Sequence, residues 1–137
     1  MMNSPGQLEA LTVLGNVEDT IQRLQDAIAA VPMGLVAHIN GQANAAKRGL
    51  IVAPDQILEV FRPDFAVRVW AAEKSAGIDI PLRIHVYAAE DETVVAWRWP
   101  SRVFAPYANP ALDALAAELD AIFQQIIETL TARKEIL

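Results

Sequence analysis

Residues 77–87 read GIDIPLRIHVY, and the reading of this run decides the fold. Ile80, Leu82, Ile84 and Val86 take every second position, with Asp79, Arg83, His85 and Tyr87 between them. Successive side chains of a strand point to opposite faces, so this period of two predicts one core face and one polar face. A second run, TVVAWRW at 93–99, follows the polar AEDE, and PLRIHVYA (81–88) pairs with it as a hairpin. A four-residue loop at 89–92 sets Leu82 opposite Trp99, Ile84 opposite Trp97 and Val86 opposite Val95 on the core face. The other face then carries Arg83 opposite Arg98, His85 opposite Ala96 and Tyr87 opposite Val94. An odd loop length would turn one arm over, since a one-residue slip moves every side chain to the other face.

Outward from the hairpin, the strongest helical signals lie at the two ends of the chain. Asn16 reads as an N-cap, with Glu18 and Asp19 in the first turn, where carboxylates favour the helix dipole. Val17, Ile21, Leu24, Ile28 and Val31 recur at steps of four and three, which predicts a helix over 17–31 stopped by Pro32 and Gly34. Asn109 and Pro110 open a second helix over 110–132, with Leu112, Leu115, Leu119, Ile122, Phe123, Ile126 and Leu130 as its apolar stripe. At 1.5 Å per residue it spans about 34 Å, enough to cover a sheet. Arg133 and Lys134 fall near its C-terminus. Strands are expected at 8–15, 33–39 and 55–61. A short alanine-rich helix or turn fits 40–49, and 63–76 is partly helical. The order is β-α-β-β-β-β-α. Hairpin-linked strands imply an antiparallel sheet, and the fold class is α+β with the two main helices on one face.

A chain of 137 residues fits one domain, with a core over about 8–132 and flexible ends at 1–7 and 133–137. Such a domain buries roughly two-thirds of its unfolded surface. There is no cysteine, which excludes disulfides, thiolate metal sites and cysteine nucleophiles. The apolar share is 53%, but 24 of those residues are alanine, and no run reaches the ~18 apolar residues of a membrane helix. The opening MMNSPGQLEA has neither the basic nor the apolar region of a signal peptide, so a cytoplasmic location is expected. A net charge of −6 disfavours nucleic acid and anionic membranes as partners.

Four stretches together resemble a known family: VEDTIQRLQDAI, NAAKRGL with the proline of VAP, AGIDIPLRIHVY, and VAWRWP. The chain is similar, from about residue 10 to residue 130, to domain-of-unknown-function family 302, a small bacterial and archaeal domain. The run Gly77–Arg83 is the most specific element. The resemblance implies a curved antiparallel sheet backed by two helices, with dimers commonly formed, and no established activity. The chain departs from the family pattern at Asn40-Gly41, where an Asp-His pair is usual, and at Phe61-Arg62-Pro63, where Phe-Gly-Asn-Pro is usual.

No nucleotide-binding loop, serine elbow or HExxH zinc motif is present, and Ser4, Ser75 and Ser101 lack a supporting His and acid. A metal would have to use His38, His85 and carboxylates, whose spacing nothing fixes, so neither a metal nor a cofactor is expected. The candidates are therefore the open sheet face: Arg83, His85 and Tyr87, with Arg98 beside them and Asp79 at the mouth. Arginines directly opposite one another repel, and require an acidic partner or a bound anion. One reading is a homodimeric module binding a small anionic ligand. A second is an enzyme with His85 or His38 as general base beside Arg83, since imidazole titrates near neutral pH. A third is a structural subunit, with Asp79, Glu90 or a neighbouring strand neutralising the arginines. Trp97 and Trp99 are expected in the core, and Trp70, near Arg68, beneath a loop.

Overall fold

The computed structural model describes residues 7–136, with side chains described as far as Thr131. Of the flexible ends expected at 1–7 and 133–137, residues 1–6 and 137 lie outside the described residues, while the backbone of 133–136 continues the last helix. The elements run β1 (Glu9–Val13), α1 (Val17–Ala30), β2 (Gly34–Asn40), α2 (Gly41–Ala46), β3 (Asp55–Phe61), α3 (Pro63–Ala72), a 3-10 turn (Lys74–Asp79), β4 (Leu82–Ala89), β5 (Glu92–Trp97), α4 (Pro100–Phe104) and α5 (Pro110–Ile136).

The helix ends form where the caps predict. Asn16 Oδ1 accepts from the Asp19 amide at 2.8 Å, and Asn109 Oδ1 accepts from the Ala111 and Leu112 amides at 3.0 and 3.1 Å. Asn40 caps α2 by accepting from the Ala43 amide at 2.9 Å. The apolar stripes face inward: Val17, Ile21, Leu24 and Ile28 of α1 and Leu112, Leu115, Leu119, Phe123, Ile126 and Leu130 of α5 are buried.

The five strands form one open sheet in the order β1-β5-β4-β3-β2, and every neighbouring pair is antiparallel. Ile84, in the central strand, pairs with Trp97 on one side and Leu58 on the other. Leu58, Val60, Leu82, Ile84, Val86, Val95 and Trp97 form the inner face, packed into a single core with α1 and α5. The α+β class with helices gathered on one face follows from this packing.

Three details of the hairpin differ from the sequence reading. The connection is only Glu90-Asp91, because Ala89 and Glu92 already pair; Glu90 takes a positive φ of 56° to close it. The register nevertheless keeps Ile84 on Trp97 and Val86 on Val95. The second arm stops at Trp97, so neither Leu82–Trp99 nor Arg83–Arg98 is a ladder pair. Trp99 instead precedes α4 in extended geometry, half-buried, with its ring edge-on to Trp97 at 5.6 Å. The cause is Pro100, which restricts its predecessor and suits the first turn of a helix.

Candidate functional site

The outer face of the sheet holds a concavity of about 630 Å³. Its floor is Ile57 of β3, Arg83, His85 and Tyr87 of β4 and Ala96 of β5, all on the side away from α1 and α5. At the end of the sheet the 3-10 turn contributes Ile78 and Asp79, and α4 and the turn behind it contribute Arg102, Val103 and Pro106. Gly77 lets the 3-10 turn lie close to Trp70: a Cβ there would stand 3.1 Å from Trp70 Nε1. Arg83, His85, Tyr87, Arg98 and Asp79 all line this concavity. The structure therefore brings together the five candidates read from the sequence.

Each polar group has a definite setting. Arg83 Nε donates to Glu59 Oε2 at 3.2 Å, across the register pair of β3 and β4. The arginine side chain is 70% exposed and the glutamate 18%, so the bond leaves the guanidinium largely open to solvent. His85 Nε2 lies 2.9 Å from Asp55 Oδ1, and its ring stands 4.7 Å from that of Tyr87. In the neutral imidazole the Nε2 proton is then donated to Asp55, which leaves Nδ1 as an acceptor. At the mouth, Tyr107 donates its hydroxyl to the Asp79 carboxylate. That hydrogen bond, with some desolvation and the charges of Asp79 and Glu73, raises the Tyr107 hydroxyl above the ordinary phenol range.

His38 does not join this group. It pairs in register with Leu58, on the helix side of the sheet, whereas His85 pairs with Ile57 on the open side. There His38 Nε2 lies 2.5 Å from Gln56 Oε1, Gln25 Nε2 approaches its Nδ1 at 3.4 Å, and Gln56 donates to Glu18 Oε1 at 3.4 Å. Nor is Trp70 under a loop: it is exposed, with the Lys74 ammonium 5.1 Å over its ring. Arg68 pairs with Glu118 instead, which holds that carboxyl below its usual range. Among the described residues no three His, Asp or Glu side chains assemble as a metal site.

Four polar residues at or beside the site escaped the sequence reading: Arg102, which lines it, and Asp55, Glu59 and Tyr107, which bond to side chains that do. For two of them the signal was present. Asp55, Ile57 and Glu59 share one parity in DQILEVF, and only the adjacency of β3 to β4 was needed to set them beside His85 and Arg83. Arg102 and Tyr107 lie on short helical pieces after Pro100, where no long period exists to read.

The model of the family described as domain of unknown function DUF302 matches residues 9–130. A crystal structure of an uncharacterized conserved DUF302 protein from Bacillus stearothermophilus is similar, with a TM-score of 0.77 and 23% sequence identity over 90% of this chain and 95% of that one. At that identity the likeness is one of fold. No curated protein matches the sequence. The chain belongs to the DUF302 family.

Proposed function

We propose that this chain, acting as a single domain in a cytoplasmic homodimer, binds a small amphipathic anion in the concavity on its open sheet face. The observation that carries this reading is convergence: Arg83, Arg98 and Arg102, with His85 and Tyr87, share one hollow with the apolar Ile57, Ile78, Pro81 and Val103. Ligand sites combine an apolar lining with a few placed polar groups. Guanidinium favours carboxylate or phosphate because its fork matches their oxygens. The dimer is supported by apolar side chains left exposed on edge strand β2 (Leu35, Val36 and Ile39) and by Ile51, 99% exposed in the segment after α2. Exposed apolar patches of this kind mark association surfaces, and twofold closure is the commonest assembly.

Native mass spectrometry of protein taken from its source cells tests both parts. The expected result is a dimer carrying a small acidic molecule, lost when Arg83→Ala and Arg98→Ala are combined. A bare monomer overturns the dimer and the retained ligand together; undiminished occupancy in the double variant makes the face structural. Fractionation must place the protein in the cytoplasmic fraction.

One contact favours a second reading, an enzyme with His85 as general base. Asp55, 2.9 Å away, is the orienting carboxylate such a base requires. That reading demands turnover which His85→Gln abolishes while ligand binding persists.

A further inference from the structure

The segment between α2 and β3 turns its apolar side chains outward. Leu50, Ile51 and Val52 are all exposed, Ile51 at 99%. The backbone beneath them is braced. The Arg48 and Leu50 amides donate to the Ala45 carbonyl at 2.9 and 3.0 Å, and the Gly49 amide donates to that of Ala46 at 3.0 Å. Gln42 Nε2 donates to the Val52 carbonyl at 3.1 Å, and Gly49 makes the turn with a φ of 75°. A surface already held in shape loses little ordering entropy when it is covered. Lys47 and Arg48 precede this tip, and both are exposed. At its far end the Pro54 carbonyl accepts the Ala88 amide at 3.0 Å, which sets the tip beside the end of β4. There the turn to β5 is Glu90-Asp91, followed by Glu92, and all three are exposed. Among the described residues no ion pair uses Lys47, Arg48, Glu90, Asp91 or Glu92. One end of the sheet thus carries a cationic, apolar tip next to an acidic turn.

We infer that this end of the sheet is a twofold interface between two copies of the chain, each tip lying against its partner's acidic turn. This rests on the homodimer proposed above, and adds where the copies meet and what selects the contact. A twofold contact is self-complementary, so one surface must offer both halves of it, as tip and turn do. The axis passes between them, where Pro54 meets Ala88. Leu50, Ile51 and Val52 then supply apolar area, and Lys47 and Arg48 face Asp91 and Glu92 across the interface. An anionic bilayer fits less well. The two cations would be drawn to it, but the three carboxylates at the same end would be repelled once within the Debye length, about 8 Å at physiological salt. Edge strand β2 also exposes apolar side chains, but its sequence GLVAHIN has no carboxylate, lysine or arginine to select a partner.

Sedimentation equilibrium of the full chain provides the test, with far-UV circular dichroism to check that each variant is folded. The wild type should be dimeric at micromolar concentration. Ile51→Asp should weaken the dimer at least about tenfold. Lys47→Glu combined with Arg48→Glu should weaken it at least about fivefold, and so should Asp91→Lys combined with Glu92→Lys. The chain carrying both charge reversals should return to within about threefold of the wild-type constant, because the charges are exchanged and not removed. Glu90 is left in place because it closes the turn at positive φ. Reversals that have no effect, or that do not rescue one another, overturn the inference. A dimer indifferent to Ile51→Asp but lost in Leu35→Asp combined with Ile39→Asp overturns this interface and leaves the homodimer standing at β2. A wild type still monomeric at about 100 μM overturns both. A monomer that sediments with phosphatidylglycerol vesicles, and no longer does so after Ile51→Asp, makes the tip a lipid anchor and overturns the inference.

Discussion

The two faces of β4 solve opposite problems with alternate residues of one strand. Leu82, Ile84 and Val86 are almost wholly removed from water, at 3%, 0% and 0% exposure, beneath α1 and α5. Arg83, His85 and Tyr87 remain in reach of solvent, and two of them lean on carboxylates of the neighbouring strand, Glu59 and Asp55. The inner face owes its strength to apolar area and close packing, about 25 cal/mol for each Å² removed from water. The outer face carries solvent-accessible polar contacts, and even an exposed ion pair is typically worth below about 1 kcal/mol. A fold secured on one side is free to vary the other, and the proposed binding surface lies on that freer side.

The largest effect should come from the inner face. Ile84→Ala, at the centre of the sheet, should lower the unfolding free energy by about 2–5 kcal/mol in urea titration. A loss below about 1 kcal/mol would break the comparison. Next comes Gln56, a polar residue on that same buried face, at 4% exposure. Gln56→Ala removes the partner of His38 and should cost about 1–3 kcal/mol. A neutral result would mean that burial on this face tolerates a broken polar network.

The outer face should yield much less. A double-mutant cycle on Asp55→Ala and His85→Ala should give a coupling below about 1 kcal/mol at neutral pH, since both side chains are substantially exposed. A coupling of several kcal/mol would make the open face structural. The smallest effect is expected from Tyr107→Phe. The Tyr107 hydroxyl has a raised pKa in the folded chain, so its stabilising bond to Asp79 is fully present below the unfolded phenol value, about pH 10, and is lost as pH rises through the folded value. The stability gap between wild type and Tyr107→Phe should be constant from pH 7 to 9 and shrink above that. A gap that widens with alkaline pH would contradict the hydrogen bond.

What could be read in advance was whatever repeats locally. The alternation in GIDIPLRIHVY revealed the buried and open faces, and Asn16 and Asn109 marked the helix starts, because strand parity and capping depend on near neighbours. The partners of the open face were hidden for the opposite reason. Glu59 meets Arg83, and Asp55 meets His85, only through the adjacency of β3 and β4, which no local period encodes. The register pair Arg83–Arg98 was misread because Pro100 ends the sheet earlier than the apolar run does, releasing Trp99 to α4. That same bend puts Arg102 at the concavity. One proline therefore accounts for both the lost pair and the unforeseen cation.

The strand order has a consequence in time. Within the sheet β1 pairs only with β5, with Val13 against Thr93 and Glu9 against Trp97. A ribosome adding about 5–20 residues each second makes the 80 residues from Val13 to Thr93 in about 4–16 s. Throughout that interval the first strand is without its neighbour. The stripe of α1 also waits, because α5, which closes over it, follows β5 in the chain. A nascent chain of this design carries α1 without its α5 cover for seconds, and the exposure of that side to chaperones or to a neighbouring nascent copy is set by synthesis speed rather than by the strength of the finished core.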